Sequence, residues 1–262
     1  MLLANRKIVL SGGSGGIGQH LAALLVERGA SLTTISRSGD GPAAATHVAA
    51  DLSSREGLAT AVASIEAEQP DILVNLAGVQ HFGPLDQQSL DDVEATYAIN
   101  LTAPVLLTRA ALPAMKRRGA GQIVNIGSIL GSIGFAYFAT YSSSKAGLRL
   151  FSEALRRELA GTGVVVTYVA PRAARTGLIT SKLAQYADLT RMAIDEPDAV
   201  ARRIVEAIER GNKDVYLGGA ERFFVKLNSA LPRLVDLLLS NNDRKARTLF
   251  SSQNPSSGGT AS

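Results

Sequence analysis

The chain contains no cysteine among its 262 residues, so it can form no disulfide bond and offers no thiolate ligand to a metal ion. It also lacks tryptophan, and it has only three histidines, His20, His47 and His81. These histidines lie far apart and have no carboxylate partner at the spacing of a metal site. We therefore predict no bound metal, while the absence of cysteine leaves the redox compartment open.

A strong excess of one charge is also missing. Lys and Arg number 27 and Asp and Glu 23, which gives a net charge of +4, and the cations are dispersed apart from a mild concentration near the C-terminus. A nucleic-acid partner is not predicted from this pattern. The first residues, M-L-L-A-N-R-K, are too short for a signal peptide, and no apolar run approaches the roughly 18 residues of a membrane span. We expect a soluble, cytoplasmic protein.

A glycine-rich turn stands between a predicted strand and a predicted helix near the N-terminus. Residues 6–11 have strand character, G-G-S-G-G-I-G follows from Gly12 to Gly18, and residues 19–28 carry leucines at helical spacing. Glycines at such a turn let the backbone approach a pyrophosphate, and the helix N-terminus attracts its charge. A glycine-rich stretch alone is also typical of an ordinary loop. Its position between strand and helix favours a nucleotide site.

Short β-rich segments alternate with helical ones along the chain. This alternation predicts an α/β fold with a single doubly wound parallel sheet, whose ligands bind at the carboxyl ends of the strands. Asn75, Ser128 and Pro171 fall at such ends. The predicted strands are Arg6–Ser11, Ser31–Ser36, Thr46–Ala50, Asp71–Asn75, Gln122–Ile126 and Val164–Val169, and the predicted helices are Gln19–Arg28, Ser54–Glu68, Ala98–Arg117 and Tyr141–Leu159.

Tyr141 and Lys145 are four residues apart, so they share one face of a predicted helix. An isolated tyrosine ionises near pH ~10, and lowering its pKa by about three units takes about 4 kcal/mol. A lysine ammonium ~4 Å away can supply roughly that amount. The hydroxyl of Ser128 could donate to a substrate oxygen. A Tyr and a Lys at this spacing are also common on exposed helices, so the pair indicates a catalytic site only together with other motifs.

The context is a series of motifs in a fixed order. Gly12 and Gly16-Ile17-Gly18, then Asn75-Leu76-Ala77-Gly78, then Asn100, Ser128 and Tyr141-Ser142-Ser143-Ser144-Lys145, resemble the motifs of the short-chain dehydrogenase/reductase family over roughly residues 6–217. The resemblance implies a Rossmann-type subunit, a nicotinamide cofactor and carbonyl/alcohol oxidoreduction. It further implies that Tyr141 is the general acid/base and that Lys145 lowers its pKa and holds the nicotinamide ribose. Ser128 would orient the carbonyl, and Asn100 would support a water-linked proton relay through Lys145. The residues expected to contact the cofactor are Gly12, Ser14, Gly16, Ile17, Gly18, Arg37, Asp51, Leu52, Asn75, Ala77, Gly78, Tyr141, Lys145, Pro171 and Thr176.

The end of the second predicted strand reads Ser36-Arg37-Ser38. An acidic residue there favours NAD, whereas a cation suits the extra phosphate of NADP. The arginine fork of Arg37 matches a phosphate, and no carboxylate is present to repel it, so we predict NADP(H). The alternative is an exposed loop arginine with no ligand. Asp51 resembles the acid that contacts the adenine in the family.

Two departures from the family pattern affect the expectations. Residues 38–45, S-G-D-G-P-A-A-A, are too short and too rich in breakers for a crossover helix, so we expect a loop. Pro171 is followed by Arg172 where the family has glycine. Arg172 either orients an anionic group of substrate or cofactor or is a solvated loop residue, and the sequence favours neither.

The substrate side offers weaker signals. Phe135, Tyr137 and Phe138 precede the catalytic motif, where they form either an apolar pocket wall or a subunit contact or core. Met192 and the segment Ala173–Glu196 are expected to form a lid over the substrate.

The C-terminal segment extends beyond the family core. We divide the chain into a catalytic and cofactor-binding unit at 1–219, a helical extension of the same unit at 220–250 and a disordered tail at 251–262. Pro232 should kink or divide the extension. Its charged residues carry three more positive than negative charges, which suits a membrane surface or a lipid-like substrate entrance, while the alternative is packing on its own or a neighbouring subunit. The apolar stripe comprises Phe224, Leu227, Leu231, Leu234 and Leu238.

Two functions remain at this point. One is an NADP(H)-dependent ketone reductase or alcohol dehydrogenase that acts on an apolar or acyl-chain carbonyl compound. The other is a non-catalytic nucleotide-binding sensor or scaffold. The predicted helices at 100–117 and 141–159 resemble the faces by which family members assemble, so a homodimer or homotetramer is expected.

Overall fold

The computed structural model describes residues 2–37 and 45–251, and these form a seven-stranded sheet in which every neighbouring pair is parallel. The strand order is β3-β2-β1-β4-β5-β6-β7. The order in which successive strands are added to the sheet reverses between β1 and β4, and ligands bind at such a switch point. The strands are β1 Lys7–Ser11, β2 Ser31–Ser36, β3 Thr46–Ala49, β4 Ile72–Asn75, β5 Gly121–Ile126, β6 Val164–Ala170 and β7 Asp214–Tyr216.

Nine α-helices lie within the described residues. They are α1 Gly16–Glu27, α2 Arg55–Glu68, α3 Leu90–Tyr97, α4 Ala103–Arg118, α5 Ala139–Glu158, α6 Ser181–Thr190, α7 Pro197–Arg210, α8 Gly219–Ala230 and α9 Pro232–Ser251.

Apolar cores cover both faces of the sheet. Helices α1 and α7 pack on one face, around Leu10, Leu21 and Ile204, and helices α2, α4 and α5 pack on the other, around Leu73 and Leu107. Because the central strands are buried on both faces, they read as apolar runs rather than alternating patterns. The predicted doubly wound α/β fold is confirmed.

The predicted elements lie within a few residues of those observed, but several elements were missed. Strand β2 has the predicted bounds, while α1 begins at Gly16, inside the glycine turn, because glycine amides can form the first helical turn. Strand β7 and helices α3, α6 and α7 were not predicted. Helix α7 had a sequence signal, since Pro197 occupies its first turn and apolar residues recur at helical spacing. The predicted loop at 38–45 falls almost wholly outside the described residues, and so does the predicted tail apart from Ser251.

The predicted helix Ala98–Arg117 is two elements. Residues Ala98–Thr102 form a π-helical turn that joins α3 to α4. The combined stretch Leu90–Arg118 is long and apolar enough to cross a membrane by length and composition, with a mean hydropathy of 1.2 over an 18-residue window. The expectation of no membrane span rests on uninterrupted apolar runs, and charged residues interrupt this stretch. A core helix passes the same test, and Leu107, Ala111 and Met115 of α4 are buried in the core.

The C-terminal extension is a helical hairpin, α8 and α9, divided at Pro232 as predicted. The predicted apolar stripe does not face the core, however. Leu227 is partly buried, but Phe224 and the leucines at 231, 234 and 238 are exposed, and the buried positions are instead Val235 and Ala246. The hairpin packs on the subunit through Leu227 of the stripe and through Val235 and Ala246 of α9, so packing on its own subunit accounts for only one of the five stripe residues.

Candidate active site

The glycine turn forms one wall of a cleft of about 330 Å³ at the carboxyl ends of β1, β2 and β4. Gly15 precedes helix α1, and no side chain among the described residues caps the helix N-terminus, so its backbone amides are left for a ligand. Ser14, Gly16, Ile17 and Gly18 line the same cleft. This wall suits an anionic phosphate group.

Two glycines of the turn are required by close packing. Gly12 has φ of +80°, and a Cβ there would lie 2.8 Å from the Ala77 backbone. A Cβ on Gly18 would lie 2.0 Å from the Gly12 carbonyl oxygen, so any side chain would push α1 away from β1. The glycines therefore serve tight packing as well as access to the cleft.

The far end of the cleft carries a cation and an anion. Arg37 is exposed at the end of β2, and Asp51 follows β3. Asp51 accepts hydrogen bonds from the amide and hydroxyl of Ser53, at 2.9 and 2.6 Å. These bonds, with a smaller contribution from the charge of Arg37, lower the pKa of Asp51. Leu52, Ala77 and the two charged residues all border the cleft, as expected of cofactor contacts.

Asn75 differs from its expected placement. Its side chain is fully buried beneath the cleft floor and donates to Asn125 at 2.8 Å and to Thr108 at 3.3 Å. It does not line either of the two cavities described here. Because β4 carries it into the sheet interior, Asn75 ties β4 to β5 rather than presenting its side chain to a ligand.

Tyr141 lies on α5 and faces a second cavity, of about 200 Å³, which adjoins the cleft through Gly78, Thr176 and Leu178. Ser128, just after β5, shares this cavity. Burial raises the pKa of Tyr141, and its hydrogen bond with Ser128 offsets part of that rise. The direction is opposite to the lowering expected from the sequence, because desolvation of the hydroxyl dominates.

Lys145 also faces this cavity, one helical turn after Tyr141. Its ammonium is buried and donates to the Ile126 carbonyl oxygen at 3.0 Å. Burial lowers the pKa of Lys145 to about 8. A Cβ on Gly78 would lie 3.4 Å from Nζ, so the glycine keeps the space beside the ammonium open.

Asn100 lies in the π-helical turn and is fully buried. Its amide donates to the Val79 carbonyl at 2.9 Å and to the Ser144 hydroxyl at 3.0 Å, and its carbonyl accepts from the Val79 amide at 2.9 Å. The side chain thus fastens the loop after β4 to α5, the helix of Tyr141 and Lys145. The part of Asn100 in a proton relay stays a prediction, but its hydrogen bonds hold the loop after β4 and helix α5 in place.

Tyr168 on β6 is a further residue of the site that the sequence did not reveal. It is fully buried, and its hydroxyl lies 3.5 Å from the Ser128 amide and donates to the Ser128 carbonyl at 3.4 Å. A Cβ on Gly127 would lie 2.1 Å from this hydroxyl. The absence of a side chain at 127 therefore makes room for a ring that holds the Ser128 peptide.

The second cavity has mainly apolar walls. Phe135 and Phe138 border it, as do Leu183 and Met192 from the segment predicted as a lid. Tyr137 instead packs outside it, stacked on Phe250 of α9 with ring centroids 4.8 Å apart. Two of the three predicted aromatics thus form a pocket wall, and the third anchors the C-terminal helix.

Arg172 occupies neither of its expected roles. Its guanidinium donates to both carboxylate oxygens of Asp195, at 2.9 and 2.7 Å, and to Glu221 at 3.2 Å. The bonds to Asp195 are the main reason that its pKa is raised above the ordinary value. Since two carboxylates already engage it, Arg172 is not a free anion receptor. It joins the two ends of the segment 173–196 and ties both to α8.

The segment 173–196 is closed at its base by backbone contacts too. The Asp195 amide donates to the Ala173 carbonyl at 2.8 Å, and the Arg175 amide donates to the Asp195 carbonyl at 2.9 Å. Thr176, within the segment, lies over the glycine turn, where a Cβ on Gly16 would meet its methyl at 2.8 Å. Pro171 and Thr176 both border the second cavity, and Thr176 borders the cleft as well.

Taken together, the cleft fits a dinucleotide: it has uncapped amides at one end, a cation at the other and glycines where side chains would fill it. The adjoining cavity holds two hydroxyls and a buried ammonium beside apolar walls. Such a set can exchange a proton with a substrate oxygen and stabilise charge on it.

Comparison with known proteins agrees with this geometry. Residues 6–187 match the family model of the short chain dehydrogenases. A ketoacyl reductase, HetN, from Nostoc sp. is 33% identical over 230 residues, covering 81% of this chain and 78% of that protein. The 3-oxoacyl-[acyl-carrier-protein] reductase FabG of Vibrio harveyi is 32% identical over 237 residues, covering 86% and 94%.

A solved short-chain dehydrogenase from Sphingobium yanoikuyae in complex with NADPH superposes with a TM-score of 0.72 at 25% identity, covering 97% of this chain and 98% of that one. The family match spans more than half of the chain. The protein therefore belongs to the short-chain dehydrogenase/reductase family, whose members are Rossmann-fold oxidoreductases that use a nicotinamide cofactor and small-molecule substrates.

Proposed function

We propose that the protein is an NADP(H)-dependent oxidoreductase that interconverts a ketone and a secondary alcohol, with an apolar or acyl-chain carbonyl compound as substrate. The observation that carries the proposal is the junction of the two cavities, where Tyr141, Ser128 and Lys145 border the apolar pocket beside the nucleotide cleft. The names of the ketoacyl reductase and 3-oxoacyl reductase relatives support the substrate class.

The proposed chemistry divides between cofactor and protein. The nicotinamide, when bound, supplies or accepts a hydride. The Tyr141 hydroxyl gives a proton to the substrate oxygen during reduction and takes it back during oxidation. The Ser128 hydroxyl donates a hydrogen bond to the same oxygen and stabilises its developing charge. The proposed part of the Lys145 ammonium is to favour the ionised form of Tyr141, since burial raises the pKa of the Tyr141 hydroxyl.

The preference for NADP(H) rests on Arg37. Its exposed guanidinium at the rim of the cleft can form a bidentate pair with a phosphate. Hydrogen bonds to charged groups contribute about 1.5–3 kcal/mol, so Arg37→Asp should raise the KM for NADPH roughly 10- to 100-fold and shift preference toward NADH. The control is Arg210→Asp, since Arg210 is an exposed arginine at the end of α7 that borders neither cavity.

Steady-state kinetics with both cofactors and a panel of carbonyl compounds, including 3-oxoacyl thioesters and small ketones, test the proposal. We expect faster turnover with NADPH than with NADH and better rates with apolar or acyl-chain substrates. A preference for NADH would contradict the cofactor assignment. NADPH binding without turnover of any carbonyl compound would favour the sensor or scaffold alternative.

A further inference from the structure

The hairpin of α8 and α9 presents an unusual concentration of exposed apolar side chains. Six of the fourteen large exposed apolar residues in the described chain lie between residues 223 and 238, and the exposed fraction reaches 63% for Phe223 and 72% for Leu237. Scattered exposed leucines are ordinary, but a cluster of this kind marks an interaction site. We call this cluster the outer face of the hairpin; it comprises Phe223, Phe224, Leu231, Leu234, Leu237 and Leu238.

The outer face is not needed to hold the hairpin on the protein. Val225 and Leu227 of α8, with Val235 and Leu239 of α9, pack against an apolar cluster beneath the hairpin. Asn228 also donates to the Ser132 carbonyl at 2.9 Å. Although these contacts anchor both helices, each of the six outer-face side chains is still more than a third exposed, which leaves the outer face open to a further partner.

The charges around the outer face are mostly positive. Arg222, Lys226 and Arg233 are exposed, and Asp236 is the one exposed acidic residue in the hairpin span 222–238. None of the three cations forms an ion pair with another described residue. A symmetric contact between two copies would bring two surfaces of net positive charge together, which is unfavourable. An anionic surface would instead complement them.

We propose that the outer face of the hairpin binds the surface of an anionic lipid bilayer. Amphipathic helices that combine an apolar face with flanking cations lie in the interface, with the apolar side chains below the headgroups. Each Lys or Arg near an anionic surface contributes about 1 kcal/mol to binding. The inner side of the same hairpin borders the substrate cavity through Glu221, so docking holds that cavity close to the lipid surface.

Vesicle co-sedimentation with the full chain tests the charge contribution. We expect binding to vesicles of mixed phosphatidylglycerol and phosphatidylcholine, weaker binding to phosphatidylcholine alone, and weakening by added salt. Replacing the three cations, Arg222→Gln with Lys226→Gln and Arg233→Gln, should lower the partition coefficient roughly 100-fold, which corresponds to about 3 kcal/mol.

The matched control removes the same charge elsewhere. Arg55, Arg117 and Arg210 are exposed on α2, α4 and α7, and none forms an ion pair with a described residue. Changing all three to Gln should leave most of the binding intact. If this control loses as much binding as the hairpin variant, net charge alone explains the attraction, and the proposal fails.

The apolar contribution is tested by Phe223→Ser with Leu237→Ser, which should lower partitioning at least tenfold. Leu85→Ser with Leu90→Ser is the control, since both leucines are exposed and neither belongs to the hairpin. Absence of wild-type binding to the anionic vesicles would overturn the proposal. The proposal would also be overturned if the hairpin variants changed the mass of the assembly in light scattering but left vesicle binding unaltered. The outer face would then be a contact between subunits. None of these measurements requires turnover, so they stand apart from the proposed reaction.

Discussion

Replacing Lys145 by methionine should stabilise the fold while abolishing its function. Lys145 is 4% exposed, its Nζ donates one hydrogen bond within the described residues, to the Ile126 carbonyl oxygen, and burial lowers the Lys145 pKa from 10.5 to about 8. At pH 7 the amine is charged in both the folded and the unfolded state, so this lowering of the pKa corresponds to about 3 kcal/mol of desolvation in the folded state. Loss of the hydrogen bond offsets about 1 kcal/mol. The net expectation is a gain of about 2 kcal/mol in the free energy of unfolding.

The stability difference between Lys145→Met and the wild type should depend on pH. Between pH about 8 and 10.5 the unfolded chain binds more protons at Lys145 than the folded protein does, so wild-type stability rises with pH across that window. The advantage of Lys145→Met should therefore be constant below pH 8 and shrink above it. Urea unfolding at pH 7, 9 and 10 measures the difference. Lys116→Met is the control, because Lys116 is exposed and should change stability by less than about 1 kcal/mol. A variant less stable than the wild type at pH 7, or an advantage independent of pH, would refute the reasoning.

Two other substitutions test contacts that surround the site. Tyr168→Phe should lower kcat while leaving the KM for cofactor unchanged, because the Tyr168 hydroxyl holds the Ser128 peptide; equal loss in both parameters would indicate a general structural effect. Arg172→Met leaves two half-buried carboxylates without their cation and should cost about 2 kcal/mol in chemical denaturation. Arg175→Met, which removes an exposed ion pair, should cost less than about 1 kcal/mol, and similar costs for the two variants would argue against the assigned role of Arg172.

Local patterns in the sequence were sufficient to predict the fold of this protein and the main motifs of its candidate site. The glycine turn, the β-rich segments and the Tyr141/Lys145 pair depend on residues near one another in the chain, where strand and helix periods are visible. Their meeting at one edge of the sheet follows from parallel topology. For these features, the sequence prediction and the structure agree.

What could not be predicted depends on contacts between distant segments. The ion pairs of Arg172 could not be predicted, because its partners, Asp195 and Glu221, lie 23 and 49 residues further along the chain. The pairing of Tyr168 with the space left at Gly127 has the same origin. The rise in the pKa of Tyr141 depends on burial, which residue spacing does not report. The exposure of the apolar stripe on the hairpin could not be predicted either, because the spacing of apolar residues does not show which of them face the core.

The central claim is that Tyr141 transfers the proton in an NADPH-dependent reduction, and Tyr141→Phe tests it most directly. The measurement is the rate of NADPH oxidation with a 3-oxoacyl thioester, alongside NADPH binding by fluorescence. Tyr137→Phe is the control, because that tyrosine lies four residues earlier and packs on α9 outside the cavity. We predict that Tyr141→Phe lowers kcat/KM roughly 10²- to 10⁴-fold with NADPH binding retained, while Tyr137→Phe keeps most of the activity. Unchanged carbonyl-dependent oxidation of NADPH by Tyr141→Phe would contradict the account.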